Sequence, residues 1–229
     1  MKYDKEFLNE NMMGPNSMVV AEELTQGLPF KKGMKVLDLG CGRGLTSIFL
    51  AKEFGVEVFA LDLWTPPTDN YNRFKQMSVS DLIVPLQIDA LNLPFPNEYF
   101  DAVVSIDSYH YFANNDTYFV EVLKPILKKD AIVAIAFPGM KFEVEHNIPE
   151  EMKPLWNEEI LTMVHSIDWW KPKFEDHLEN FKISEMNCFH KAWSDWLSCG
   201  NPYALEDKDM MDTDNGRYMN LIKLSGRVK

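Results

Sequence analysis

Apolar residues along the chain fall into two spacings that take turns. Val36 to Leu39, Val56 to Leu61, Ile83 to Ile88, Phe100 to Ile106 and Ala131 to Phe137 are nearly continuous apolar runs rich in Val, Ile, Leu and Phe. Runs of this kind suit strands buried on both faces. Between them, Leu45 to Phe54, Asn70 to Ser78 after the Pro66-Pro67 break, and Asn115 to Leu127 read as helices. Strands and helices alternating at this interval predict a parallel, doubly wound sheet. Right-handed crossovers then bring the ligand-bearing strand ends to one rim. Pro85 is expected to interrupt the third strand early, and Pro138-Gly139 to stop the fifth.

The flanks are less regular. Residues 5–28 predict one or two helices broken at Gly14-Pro15, with Asn16 or Ser17 as N-cap. Residues 31–33 read as a turn. Beyond residue 139 the pattern loosens into aromatic, helix-prone stretches at 152–156, 160–165 and 169–180. A strand is expected at 182–189, a helix at 193–198, a polar loop at 201–216 and a final strand at 218–225.

Composition narrows the setting. A chain of 229 residues, 46% hydrophobic and 25% charged, can bury one sizeable core and is expected to form a single domain. The formal charge of −12 argues against a nucleic-acid partner, since Lys31-Lys32 and Lys128-Lys129 are isolated pairs. Residues 1–10 are charged, so no signal peptide is expected, and no apolar run is long enough to span a bilayer. Cys41, Cys188 and Cys199 make no paired framework, and His146, His165, His177 and His190 show no metal spacing. The expectation is a cytoplasmic protein without a metal, of open oligomeric state.

The chemistry concentrates at one place. Val36-Leu37-Asp38-Leu39 runs into Gly40-Cys41-Gly42-Arg43-Gly44, and Asp62 closes the next strand, about 20 residues further on. A glycine turn followed at this distance by an acid is how an open α/β sheet holds a nucleoside, with backbone at the turn and carboxylate on the ribose hydroxyls. A dinucleotide turn would place its third glycine at position 45, where Leu45 stands. An NAD-linked oxidoreductase is therefore the weaker alternative.

With Asp38 leading it, this segment resembles motif I of the class I S-adenosylmethionine (SAM) methyltransferases, of the small-molecule, methyltransferase type 11-like kind. The resemblance runs from about residue 30 to 140 and more loosely to the C-terminus. It implies a Rossmann-like seven-stranded sheet with the last strand antiparallel and helical insertions after strand five. It also implies SAM as cofactor and a small-molecule methyl acceptor. Gly40, Cys41, Gly42 and Gly44 would form the cofactor turn, Asp38 would help hold the methionine amino group, and Asp62 the ribose. Leu63 would pack on the adenine and Asp89-Ala90 would meet its amino edge. Ser105 would lie near the methionine moiety. Residues 1–30 and 140–180 are the expected lid and substrate cap.

Strand four leads into Asp107-Ser108-Tyr109-His110-Tyr111. Asp107 and His110 are the candidates for acid–base work, because a histidine titrates near neutrality and could take a proton from an amine or hydroxyl. Tyr109, Tyr111, Trp169 and Trp170, with Trp64, are candidates for an aromatic substrate site that would favour an alkylammonium. N-methylation of a small amine follows as one expectation. A domain that binds SAM as a sensor without transferring its methyl group is the other.

Overall fold

The structure is a computed structural model that describes residues 3–113, 117–144 and 147–229. Its centre is a seven-stranded sheet in the order β3-β2-β1-β4-β5-β7-β6. β1 (Lys35–Leu39), β2 (Glu57–Asp62), β3 (Ile83–Gln87), β4 (Phe100–Ile106) and the start of β5 (Leu127–Met140) pair in parallel. β7 (Met219–Val228) runs antiparallel to both β5 and β6 (Leu178–Glu185). This is the expected doubly wound α/β sheet with an antiparallel last strand.

Two apolar layers cover the sheet. On one face α1 (Lys5–Asn11), α2 (Ser17–Thr25), α3 (Leu45–Phe54), α4 (Pro67–Gln76), α7 (Phe189–Leu197) and α8 (Pro202–Asp214) pack on Val36, Val58, Val104, Ile132 and Ala134. On the other face Leu37, Val103, Val133 and Ile135 meet Tyr118, Phe119, Leu123, Trp170 and Phe174. Side chains that alternate along β1, β4 and β5 thus feed both layers, which is why these strands read as continuous apolar runs.

Several boundaries differ from the sequence pattern. β5 passes through Pro138-Gly139 and ends at Met140. β4 stops opposite Ala136, so at Pro138 β5 pairs with β7 alone before Met140 bridges Ser166, and a residue without an N–H is tolerated on the open side. Pro85 likewise sits inside β3, at the sheet edge. Residues 201–216 are no loop: Asn201 accepts from the Tyr203 N–H as N-cap, Pro202 opens α8, and Ala204, Met210 and Met211 are buried. Part of the stretch read as helix at 169–180 is strand, because β6 begins at Leu178. The helix expected at 115–127 is a π-helical segment at Phe119–Leu123 and a 3-10 turn at Lys124–Ile126. Its first two positions lie outside the described residues, as does His146.

The segment between α1 and α2 lies across the sheet's ligand rim. Asn16 fixes its far end: its Oδ1 accepts from the Met18 and Val19 N–H groups, its Nδ2 donates to Asp195 Oδ2 at 2.8 Å, and its N–H donates to the Ala192 carbonyl at 3.0 Å. Asn16→Ala should lose about 1–2 kcal/mol of stability in denaturant titrations, from the cap and the lost Asp195 contact.

Candidate functional site

β1 ends in the glycine turn, and β2 holds that turn in place. The Gly40 and Cys41 N–H groups both donate to the Leu61 carbonyl at 2.8 Å. The Gly42 N–H donates to Asp62 Oδ2 at 2.9 Å. Asp62 Oδ1 accepts from the Trp64 and Thr65 N–H groups at 2.9 and 2.8 Å. From the outside, Asn70 of α4 donates to the Gly42 carbonyl at 2.9 Å. One carboxylate therefore joins the turn to the loop after β2 and keeps free acceptor capacity on Oδ2.

Two cavities meet at this turn. One, of about 260 Å³, is mostly apolar and is walled by Leu61, Leu63, Ile88, Ala90, Leu91 and Phe112, with Asp89 at its edge. The other, of about 110 Å³, lies under the strap between α1 and α2, against Cys41, Gly42, Thr46 and Asp107. Gly40, Asp62, Trp64, Ser108 and Tyr111 line both. Exposed Trp64 and Tyr111 face each other edge to face across the junction, 6.5 Å apart. An apolar slot with a carboxylate at its edge suits a purine base, a carboxylate with spare acceptor capacity suits a ribose diol, and a tight backbone turn suits the rest of such a ligand. The residues present fit SAM.

The close approach at the turn is visible at Gly40. Its φ is +77°, and a Cβ built there would meet Ser108 Oγ and Cβ at 2.3 and 2.4 Å. Ser108 is the serine that reaches the cavities, and the sequence pattern missed it. Ser105, the expected one, is fully buried and donates to the Leu39 carbonyl at 2.8 Å. The difference comes from Asp107, whose left-handed φ of +56° turns the chain at the end of β4. That turn presents Asp107 to the strap, where a Cβ at Gly14 would meet its Oδ2 at 2.2 Å. The Asp107 carboxylate has no hydrogen-bond partner among the described residues. Burial, followed by the charge of Asp207 on α8, pushes its carboxyl up to about 8.

The remaining candidates are distributed as follows. Leu63, Asp89 and Ala90 line the apolar cavity, and Cys41 the strap cavity. Asp38 lines neither: it is fully buried, its Oδ2 accepts from Ser47 at 2.5 Å, and its Oδ1 has no partner. Burial raises its carboxyl to about 7. His110 also lines neither cavity. Its ring is buried, its Nδ1 has no partner, and burial lowers its pKa to about 4, so it stays neutral.

The aromatic site is not assembled as the sequence suggested. Tyr109 and Trp170 are buried in the core layer, their rings 5.9 Å apart and Trp170 4.4 Å from Phe137. Trp169 stacks on His165 at 3.8 Å. Only Tyr111 and Trp64 reach the rim. The reason is that α6 (Ile167–Trp170) serves as part of a sheet-covering layer, and no described residue of 140–180 lines either cavity. The strap does, through Asn11, Met13, Gly14, Pro15 and Ser17.

Two stability measurements follow. Gly40→Ala should lose about 2–4 kcal/mol, from the left-handed backbone and the Ser108 clash, and adding Ser108→Gly should recover the clash portion in denaturant titrations. For Asp107, a folded pKa above the unfolded value means the native state holds an extra proton between about pH 4 and 8, so stability falls as pH rises through that window. Asp107→Asn should flatten that slope and melt higher than the native protein at pH 8.

Comparison with known proteins agrees with this architecture. Residues 37–135 match the methyltransferase domain family. The 27-O-demethylrifamycin SV methyltransferase of Amycolatopsis mediterranei is 31% identical over 93 residues, 40% of this chain and 34% of that protein. Among solved structures, Haemonchus contortus phosphoethanolamine N-methyltransferase 2 in complex with SAM superposes with a TM-score of 0.73 at 19% identity, covering 100% of this chain and 58% of that one. Geranyl diphosphate C-methyltransferase from Streptomyces coelicolor gives 0.74 at 16% identity, covering 93% and 79%. The chain's matches span between a third and under half of the length of the first curated relatives. Strand order, glycine turn and sequence match together make residues 37–135 similar to the methyltransferase domain family, on a fold shared with SAM-dependent methyltransferases.

Proposed function

We propose that the domain transfers the methyl group of SAM to a small-molecule acceptor, and that the acceptor is an amine. The observation that carries the amine reading is the Asp107 carboxylate, which lines the strap cavity without a partner. A recessed carboxyl without a partner ionises more readily once an ammonium group arrives beside it, so the two charges stabilise each other. The relatives do not decide this point, since their names include an O-, an N- and a C-methyltransferase.

When bound, SAM supplies a methyl group on a sulfonium that is open to in-line displacement. The chain's own residues hold and orient. Leu63, Ala90 and Leu91 would enclose the base, Asp89 would accept from its amino group, and the free acceptor site on Asp62 Oδ2 would take a ribose hydroxyl. Asp107, ionised by the arriving ammonium beside it, would take the proton that the acceptor nitrogen must lose before its lone pair can attack. With that proton held on Asp107, the nitrogen's lone pair would be free to receive the methyl group that SAM would supply. His110, buried and neutral, takes no part in this proton transfer. The strap excludes water, and holding the two centres in contact supplies roughly 7–11 kcal/mol of the barrier in favourable cases.

Calorimetric titration with SAM, S-adenosylhomocysteine and NAD, followed by turnover assays on matched panels of small amines and alcohols, checks the proposal. The expected result is saturable binding of both sulfur nucleosides, none of NAD, and methylation confined to amines. Turnover of alcohols alone would remove the amine reading. Tight SAM binding with no turnover on either panel would favour the sensor, and NAD binding alone an oxidoreductase.

A further inference from the structure

The strap cavity contains one cation among its described lining residues, Arg43, together with the acids Asp62 and Asp107. A guanidinium and carboxyl groups lining so small a space would ordinarily hydrogen-bond to each other. Here they do not. Asp62 is engaged by three backbone N–H groups, and Asp107 has no partner. Arg43 makes a single hydrogen bond among the described residues, from Nη1 to the Glu10 carbonyl at 2.6 Å. Most of its five N–H donors are left for a ligand.

Its placement is constrained. Arg43 stands between Gly42 and Gly44 within the turn that faces the cavity, so its backbone is fixed by the contacts that hold the turn to β2. The neighbouring arginine is used differently. Arg73 of α4 donates from Nε to Asn11 Oδ1 at 2.7 Å and from Nη1 to Asn70 Oδ1 at 2.9 Å, and it lines neither cavity. Arg73 thus fastens the end of α1 to the turn, while Arg43 touches the same helix end and lines both the strap cavity and an outer recess beside Glu6 and Glu10. The positive charge of Arg43 adds to burial in lowering the Arg73 pKa. Arg43, largely unpartnered and lining the strap cavity, is a place that an anion would complete.

We propose that Arg43 binds the carboxylate at the methionine end of the cofactor and, through its bond to the Glu10 carbonyl, links that carboxylate to closure of the strap. This rests on the SAM reading and deepens it. A planar guanidinium meets a carboxylate through two parallel N–H bonds, a geometry that no other described cavity residue offers. The strap is held at its start by Arg43 and Arg73 and at its end by Asn16, with Asn201 Nδ2 reaching the Met12 carbonyl at 3.5 Å. A carboxylate seated on Arg43 stiffens the first of these fastenings. The site then distinguishes ligands that carry the amino-acid head from 5′-methylthioadenosine, which has the same thioether nucleoside and lacks that head.

The test compares S-adenosylhomocysteine with 5′-methylthioadenosine by calorimetry on the native protein, Arg43→Gln and Arg43→Lys. Arg43→Gln should weaken S-adenosylhomocysteine binding by about tenfold or more and leave methylthioadenosine binding unchanged, with Arg43→Lys in between. Unchanged methylthioadenosine binding also shows that the variant is folded and its nucleoside cavity intact. Limited proteolysis near residues 10–16 should be slowed by S-adenosylhomocysteine in the native protein and not in Arg43→Gln. An equal loss for both ligands would overturn the proposal in favour of a role in shaping the turn. An unchanged S-adenosylhomocysteine affinity would overturn it outright. A native protein that binds neither ligand would overturn both the proposal and the methyl-transfer reading beneath it.

Discussion

The site depends on the fastening of one strand end to its neighbour. β1 cannot end in a tight turn of three glycines and keep that turn in one place unless something outside it satisfies the exposed N–H groups. β2 does this with the Leu61 carbonyl and the Asp62 carboxylate. The same carboxylate fixes the start of the next loop, through Trp64 and Thr65. Two loops that must contact one ligand are therefore referenced to a single side chain. The acid holds the structure first, and a ligand hydroxyl would meet only its remaining acceptor capacity.

A second constraint lies at the end of β4. The left-handed backbone of Asp107 costs roughly 1–2 kcal/mol in a residue that has a Cβ. Its N–H is held by the Ala136 carbonyl of β5 at 2.8 Å, so the strained conformation is imposed by the sheet. The consequence is a change of registry between strand and loop. Ser105 stays beneath the rim, Ser108 moves onto Gly40, and Asp107 faces the strap. Strain of this kind concentrates where a chain must present a side chain that a regular strand would bury.

The aromatic residues show how much a fold can reassign. Tyr109, Trp170, Phe137, Phe174 and Phe119 form one connected cluster beneath the sheet. The segment between β5 and β6 is needed there because β4 and β5 expose apolar side chains on both faces, and no regular helix follows β4 among the described residues. The described part of this insertion covers the sheet, and the strap between α1 and α2 lines the strap cavity.

The amino-acid pattern alone determined the parallel strands, the Leu45–Phe54 helix, the glycine turn and the acid after β2, because each is set by neighbours a few residues apart: apolar period, turn chemistry, fixed spacing. It also marked the Gly14-Pro15 break and the Asn16 cap. It did not reveal α8, whose few apolar residues carry little periodicity, nor the run of β5 through Pro138, which depends on where β4 ends. At the site, only tertiary structure decided that Ser108 rather than Ser105 lines the cavities, that His110 and Asp38 are enclosed, that Tyr109 and Trp170 are core, and that Arg43 and Asp107 line one cavity. These outcomes rest on contacts between residues far apart in the chain, such as Gly14 with Asp107 and Gly40 with Ser108. Local spacing records which side chains are near in sequence, and burial is settled by which surfaces finally meet.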